Sequence, residues 1–143
     1  MNDPFGDLRK KKEEAEAKEN EIWEKEKTER AKYDSVIETA LEQLKDALYS
    51  SEKTYVRSSV GWSIIYNYGY QEYDKEFKEW FDITECCVRV SLEFDQNHNA
   101  HNFHCTLYYK LKGDSLEKIP SLMIRSTGLT LEALIEALRK LYE

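Results

Sequence analysis

An α+β fold, with a long N-terminal helix, a four- to five-stranded antiparallel sheet and a C-terminal helix packed on one sheet face, follows from three observations. Cys86, Val88, Val90, Leu92 and Phe94 alternate with polar residues, and Phe103, Cys105, Leu107, Tyr109 and Leu111 do the same after the loop 96–102. Two period-two runs flanking an Asn-rich loop predict an antiparallel hairpin with one face buried. Asp7 to Tyr49 contains neither Pro nor Gly, and Leu131, Leu134, Ile135, Leu138 and Leu141 recur at helical spacing near the other end. Helices at both termini and strands between them give an α+β layer.

The N-terminal segment divides into two parts. Residues 1–6, with Pro4 and Gly6, are expected to fray. Asp7 to Lys32 carries nine acidic and nine basic side chains. Asp7/Lys11, Glu14/Lys18, Glu21/Lys25 and Glu26/Arg30 place the acid four residues before the base, the favoured order for helix pairs, each contributing about 0.2–0.5 kcal/mol. Such a helix has little apolar surface: Leu8, Ala15, Ile22 and Trp23. From Tyr33 an apolar stripe begins, with Ile37, Ala40, Leu41, Leu44, Ala47 and Leu48. That stripe is a core-packing face, and Ser50 and Ser51 are expected to stop the helix. The chain is accordingly divided into a charged helical extension, 1–32, and an α+β domain, 33–143. A continuous helix to Tyr49 is about 64 Å long at 1.5 Å per residue, too long for a domain of this size to cover, so about half of it projects, bends back at a break, or lies against another molecule.

Thr54 to Gln71 reads as strand, with Val56, Val60, Trp62, Ile64, Tyr66, Tyr68 and Tyr70 on one face. Gly61 and Gly69 mark bulges or close approaches. Glu72 to Lys78 reads as a charged turn. Phe77, Phe81 and Ile83 alternate on odd positions, whereas the inward set is even from Cys86, which implies a bulge or bend near Thr84; Phe77, Trp80 and Phe81 also fit one helical turn. Gly113, Asp114 and Ser115 turn the chain into a short strand, Ile119 to Ser126, where Pro120 indicates a sheet edge. Thr130 is positioned to N-cap the last helix.

Composition excludes several functions. The net charge of -7 opposes nucleic-acid binding, which needs a basic stripe. No apolar run reaches the ~18–20 residues of a membrane span, and the N-terminus lacks the apolar core of a signal peptide. Three cysteines, two of them adjacent, do not form a disulfide framework, and a reducing cytoplasm is expected. His98, His101 and His104 with Cys105 have the residue types of a zinc site. On a strand, however, His104 and Cys105 point to opposite faces, so no metal or other cofactor is expected. No catalytic residues are assigned: Cys86 and Cys105 read as core thiols. Glu72, Asp74, Glu76, Glu79, Asp82 and Glu85 read as a solvated acidic edge.

The size, acidic balance and helix–sheet–helix order are similar to those of bacterial secretion chaperones, a likeness of architecture carried by no motif. The leading expectation is a non-enzymatic protein–protein interaction module, an adaptor or chaperone-like subunit, with a protein partner or a second copy of itself. Its candidate contact residues are Ile22 and Trp23 on the charged helix and Tyr66, Tyr68, Tyr70 and Tyr108 on the sheet, because tyrosine supplies contact area at low entropy cost. The alternative expectation is a small-molecule-binding or catalytic domain with a pocket between sheet and helices.

Overall fold

The structure, a computed structural model, describes residues 3–49, 52–58, 61–113 and 115–143. The expected helix stop at Ser50 and Ser51, the strand position of Val60, the turn position of Asp114 and the first two residues of the frayed start lie outside the described residues. The chain runs α1 (Gly6–Leu48), β1 (Thr54–Ser58), β2 (Trp62–Asp74), β3 (Glu79–Phe94), β4 (Ala100–Lys112), β5 (Ser115–Arg125) and α2 (Leu131–Leu141). The strands form one antiparallel meander in the order β1-β2-β3-β4-β5. Both helices pack on the same sheet face, α1 against β1 to β4 and α2 against β4 and β5, and they touch each other.

The core lies between the helices and that face. Ile37 and Leu41 from α1 and Leu134, Leu138 and Leu141 from α2 meet Trp62, Ile64, Val88, Val90, Phe103, Cys105 and Leu107 from the sheet. Thr130 caps α2 as expected, its Oγ1 accepting the Ala133 N–H at 3.1 Å. The α1 stripe ends earlier than its periodicity implies. Leu48 is exposed, and Tyr49 turns inward in its place, its hydroxyl hydrogen-bonded to that of Tyr142. Higher on α1, Asp34 Oδ1 accepts the indole N–H of buried Trp62 at 2.5 Å. Asp34→Ala is expected to cost about 1–3 kcal/mol, because it leaves that buried donor without its acceptor. Urea unfolding of the variant measures this, and a change below about 0.5 kcal/mol would mean that water replaces the carboxylate.

Three features of the sheet differ from the reading of the sequence. The run 54–71 is two strands, β1 and the start of β2, rather than one. Gly61 sits where they meet: a Cβ there would lie 2.9 Å from Arg89 Nε and 3.2 Å from the Val90 carbonyl oxygen, so the close approach expected of this glycine is real. The inward phase changes at Cys86–Cys87 instead of near Thr84. Ile64 is opposite Val88 and Ile65 opposite Cys86, leaving Cys87 as the extra residue. Cys87 is therefore the core thiol and Cys86, assigned inward from alternation, is half-buried on the opposite face. A second irregularity follows between Asn67 and Gln71, where Gly69 has φ 79° and donates its N–H to Asn67 Oδ1 at 2.8 Å. Finally, the charged turn is shorter than 72–78. β2 continues to Asp74, whose carboxylate accepts the N–H groups of Glu76 and Phe77 and so closes the reversal.

Candidate functional site

Pairing of the strands ends unevenly, and that shapes the surface. β1 reaches β2 only as far as Tyr66, and β3 meets β4 only from Val88 onward. Beyond Asn67, whose N–H still donates to the Lys53 carbonyl at 2.7 Å, β2 pairs only with residues 79–84 of β3, as a two-stranded ribbon extending beyond the rest of the sheet. β4 and β5 continue separately from Tyr109–Lys118 to Lys112–Ser115. The sheet forks.

The ribbon exposes six large aromatic side chains: Tyr68, Tyr70, Tyr73, Phe77, Trp80 and Phe81. Phe77 and Trp80 are 66% and 65% exposed. The rings contact each other, Tyr73 with Trp80 at 5.3 Å and Phe77 with Phe81 at 6.3 Å between centroids. Tyr68 lies between Tyr66 and Tyr70 at 5.1 and 6.2 Å. Isolated two-stranded ribbons are marginal in water, and these ring pairs supply local cohesion while leaving most of their area open.

The candidate residues separate into four settings. Tyr68 and Tyr70 are on the ribbon. Tyr66 is only 8% exposed and belongs to the core, so it is corrected from a contact residue to a packing residue. Tyr108 lies on the sheet face that no helix covers, beside Arg89 and Ser121. Ile22 and Trp23 are on α1, Trp23 more than half exposed and Lys27 Nζ 4.9 Å from its ring centre. Phe77, Trp80, Phe81 and Tyr73 were not among the candidates. Their signal was a cluster of large rings among carboxylates, but strand alternation alone does not say whether a face is covered.

α1 engages the body from Lys25 onward. Lys25 Nζ donates to the Asn97 carbonyl at 2.5 Å, the Ala100 N–H donates to Glu29 Oε2 at 3.2 Å, and the Arg30 guanidinium lies 5.6 Å from the Phe94 ring centre. Lys25, Glu26 and Arg30 thus turn toward the β3–β4 hairpin instead of pairing along the helix. The side chains of residues 7–24 are exposed, and Lys12–Glu16 at 3.9 Å is an ion pair among them. The helix runs without a break across residue 32.

The histidines diverge. His98 Nδ1 lies 3.9 Å from Glu26, His101 Nε2 lies 3.8 Å from Glu93, and His104 lines the uncovered face. Among the described residues no three His, Cys, Asp or Glu groups converge as metal ligands do. The thiols are held protonated. Burial pushes Cys87 and Cys105 up to about 12 each, and it raises Cys86 against the opposing effects of a Ser63 hydrogen bond and the Arg89 charge. A thiol without thiolate character is a poor nucleophile.

These shifts set a pH dependence. The unfolded chain releases thiol protons near the ordinary value of 9.0, whereas the folded chain holds two of them to about 12. Above pH 9 the native state binds more protons than the unfolded state, so stability is full below that pH and falls as pH rises toward 12. The urea midpoint should decline between pH 8 and pH 11, and Cys105→Ala should decline less steeply from its own pH 8 value. Equal slopes would remove Cys105 from the account.

The centre of the interface between sheet and helices is filled: Ile37, Leu41, Phe103, Leu107 and Leu134 are fully buried there. At its margin a cavity of about 650 Å³ opens between α1, at Trp23, Lys27, Arg30 and Asp34, and Ser58 and Trp62 of the sheet. Others open away from the helices. One of about 490 Å³ lies in the fork, and one of about 300 Å³ adjoins it across the uncovered face. That face carries a cross-strand row, Arg57, Ser63, Arg89, Thr106 and Met123, one residue from each strand.

Fold and surface together define an α+β protein with one helix-covered sheet face, one open face and a projecting aromatic ribbon. No protein-family model, curated protein or solved structure matches the chain. Among the described residues no helix is long and apolar enough to cross a membrane.

Proposed function

We propose that this chain is a non-enzymatic protein–protein interaction module, an adaptor or chaperone-like subunit. The carrying observation is the ribbon, where six aromatic rings stay exposed on a segment outside the hydrophobic core. Contiguous exposed apolar surface of this kind marks interaction sites, and aromatic residues dominate binding hot spots. The projecting part of α1, with Ile22 and Trp23, supplies a second surface, and Tyr108 a third on the open sheet face.

The test uses the full chain as bait in its native host, beside a Phe77→Ser/Trp80→Ser variant and a chain lacking residues 1–24. Both changes spare the core, so urea unfolding should shift by less than about 0.5 kcal/mol. A discrete set of captured proteins should be present with the intact chain and strongly reduced with the double variant. Equal capture by the double variant would take the ribbon out of the interaction, and loss only in the shortened chain would assign it to α1.

A further inference from the structure

The two outer edges of the sheet are protected in ways natural edge strands use: β1 has only five residues, and β5 carries Lys118 and Pro120. The edge of β3 inside the fork has neither Pro nor Lys. From Glu79 to Cys87 it pairs with β2 on one side, except at Ile83 and at the bulge residue Cys87, and among the described residues no strand pairs with its other side. Alternate N–H and C=O groups of that stretch point into the fork, and an unpaired edge of nine residues is a template for another strand. The fork is kept open by its own chemistry. Between the pairs Leu107–Leu122 and Tyr109–Lys118, one β4 residue, Tyr108, stands opposite three β5 residues, Ile119, Pro120 and Ser121. Tyr109 and Glu85 line the base of the fork together.

We propose that this edge is a strand-addition site for an extended, basic segment of a partner protein. The inference rests on the interaction reading above and names the kind of partner. The backbone edge recognises an extended chain and no other shape. Charge selects its composition along the ribbon: Glu72, Asp74, Glu76, Glu79, Asp82 and Glu85 outnumber Lys75 and Lys78 there, whereas Arg89 and Lys118 line the fork where the ribbon leaves the sheet, and exposed Trp80 and Phe81 offer ring faces to cationic side chains. A second copy is the wrong occupant. Antiparallel self-pairing of Glu79–Glu85 centred on Asp82 sets Asp82 against Asp82 and Glu79 against Glu85, and like charges directly opposite are destabilising.

The experiment selects ligands for the full chain from a random twelve-residue peptide display library and measures the strongest as synthetic peptides by fluorescence anisotropy. The expected peptides alternate β-branched residues with Lys or Arg. Methylating every second backbone nitrogen should weaken binding about tenfold or more in one register and little in the other, because only one set of N–H groups faces β3. Glu79→Lys/Asp82→Lys should weaken the same peptides about tenfold, and amide exchange should slow between residues 79 and 86 on binding. Peptides that bind with no sensitivity to backbone methylation, or that protect residues elsewhere, overturn strand addition while leaving the interaction module intact. Failure to select any peptide overturns the proposal as well. If the captured proteins of the preceding test depend on neither the ribbon nor the projecting part of α1, the interaction reading falls with it.

Discussion

Phe103→Ala should destabilise the protein by about 3–5 kcal/mol, the range for removing a buried aromatic ring. Phe103 is fully buried at the centre of the sheet face, opposite Leu92 on β3, with Tyr33 of α1 edge-on at 6.0 Å between centroids. Its loss opens a void that strand and helix backbones cannot collapse around, since both are held by their own hydrogen bonds. Domains have about 5–15 kcal/mol in total, so the variant stands close to unfolding at room temperature. Urea titration measures the effect. A loss below about 1 kcal/mol would show that the ring is not where the two layers meet.

Ending the chain after Thr130 should abolish cooperative folding. Leu134, Leu138 and Leu141 are nearly or fully buried against the sheet and α1. Burial of each contributes about 1.5–3 kcal/mol, a total comparable to the whole stability of a domain. Removing α2 also uncovers Cys105 and Leu107 and takes away the hydroxyl partner of Tyr49. The shortened protein should lose near-ultraviolet circular dichroism and show no sigmoidal urea transition. A retained transition would mean that α1 and the sheet suffice, and that α2 is an accessory layer.

Periodicity carried most of the fold. Alternation placed Val88, Val90, Leu92, Phe103, Cys105 and Leu107 on one buried face, and all are buried there. Helical spacing found both helices, and Pro120 marked the edge strand. Errors arose where the period breaks. At Cys86–Cys87 one extra residue reverses which side chains point inward, and alternation counted from Val88 assigns the wrong thiol. At Leu48 the helical stripe continues in sequence after the helix has passed beyond the core.

The candidate surface was less legible. Tyr66, Tyr68 and Tyr70 are equivalent by spacing, yet Tyr66 is core and the other two are exposed. The difference is that β1 pairs with β2 as far as Tyr66 and no further. Lys25, Glu26 and Arg30 read as helix charge pairs because the loop that they approach is some 70 residues away in the chain.

By itself the sequence determined what is local or periodic: two amphipathic helices, the alternating strands, the Thr130 cap, and the outward and inward directions of His104 and Cys105. These follow from backbone geometry and from the cost of leaving apolar side chains in water. Only the tertiary structure decided where each strand stops pairing, which sheet face the helices cover and which aromatic rings remain exposed. Those outcomes depend on meetings between distant segments, so the same alternating tyrosines become core or surface according to how far the neighbouring strand extends.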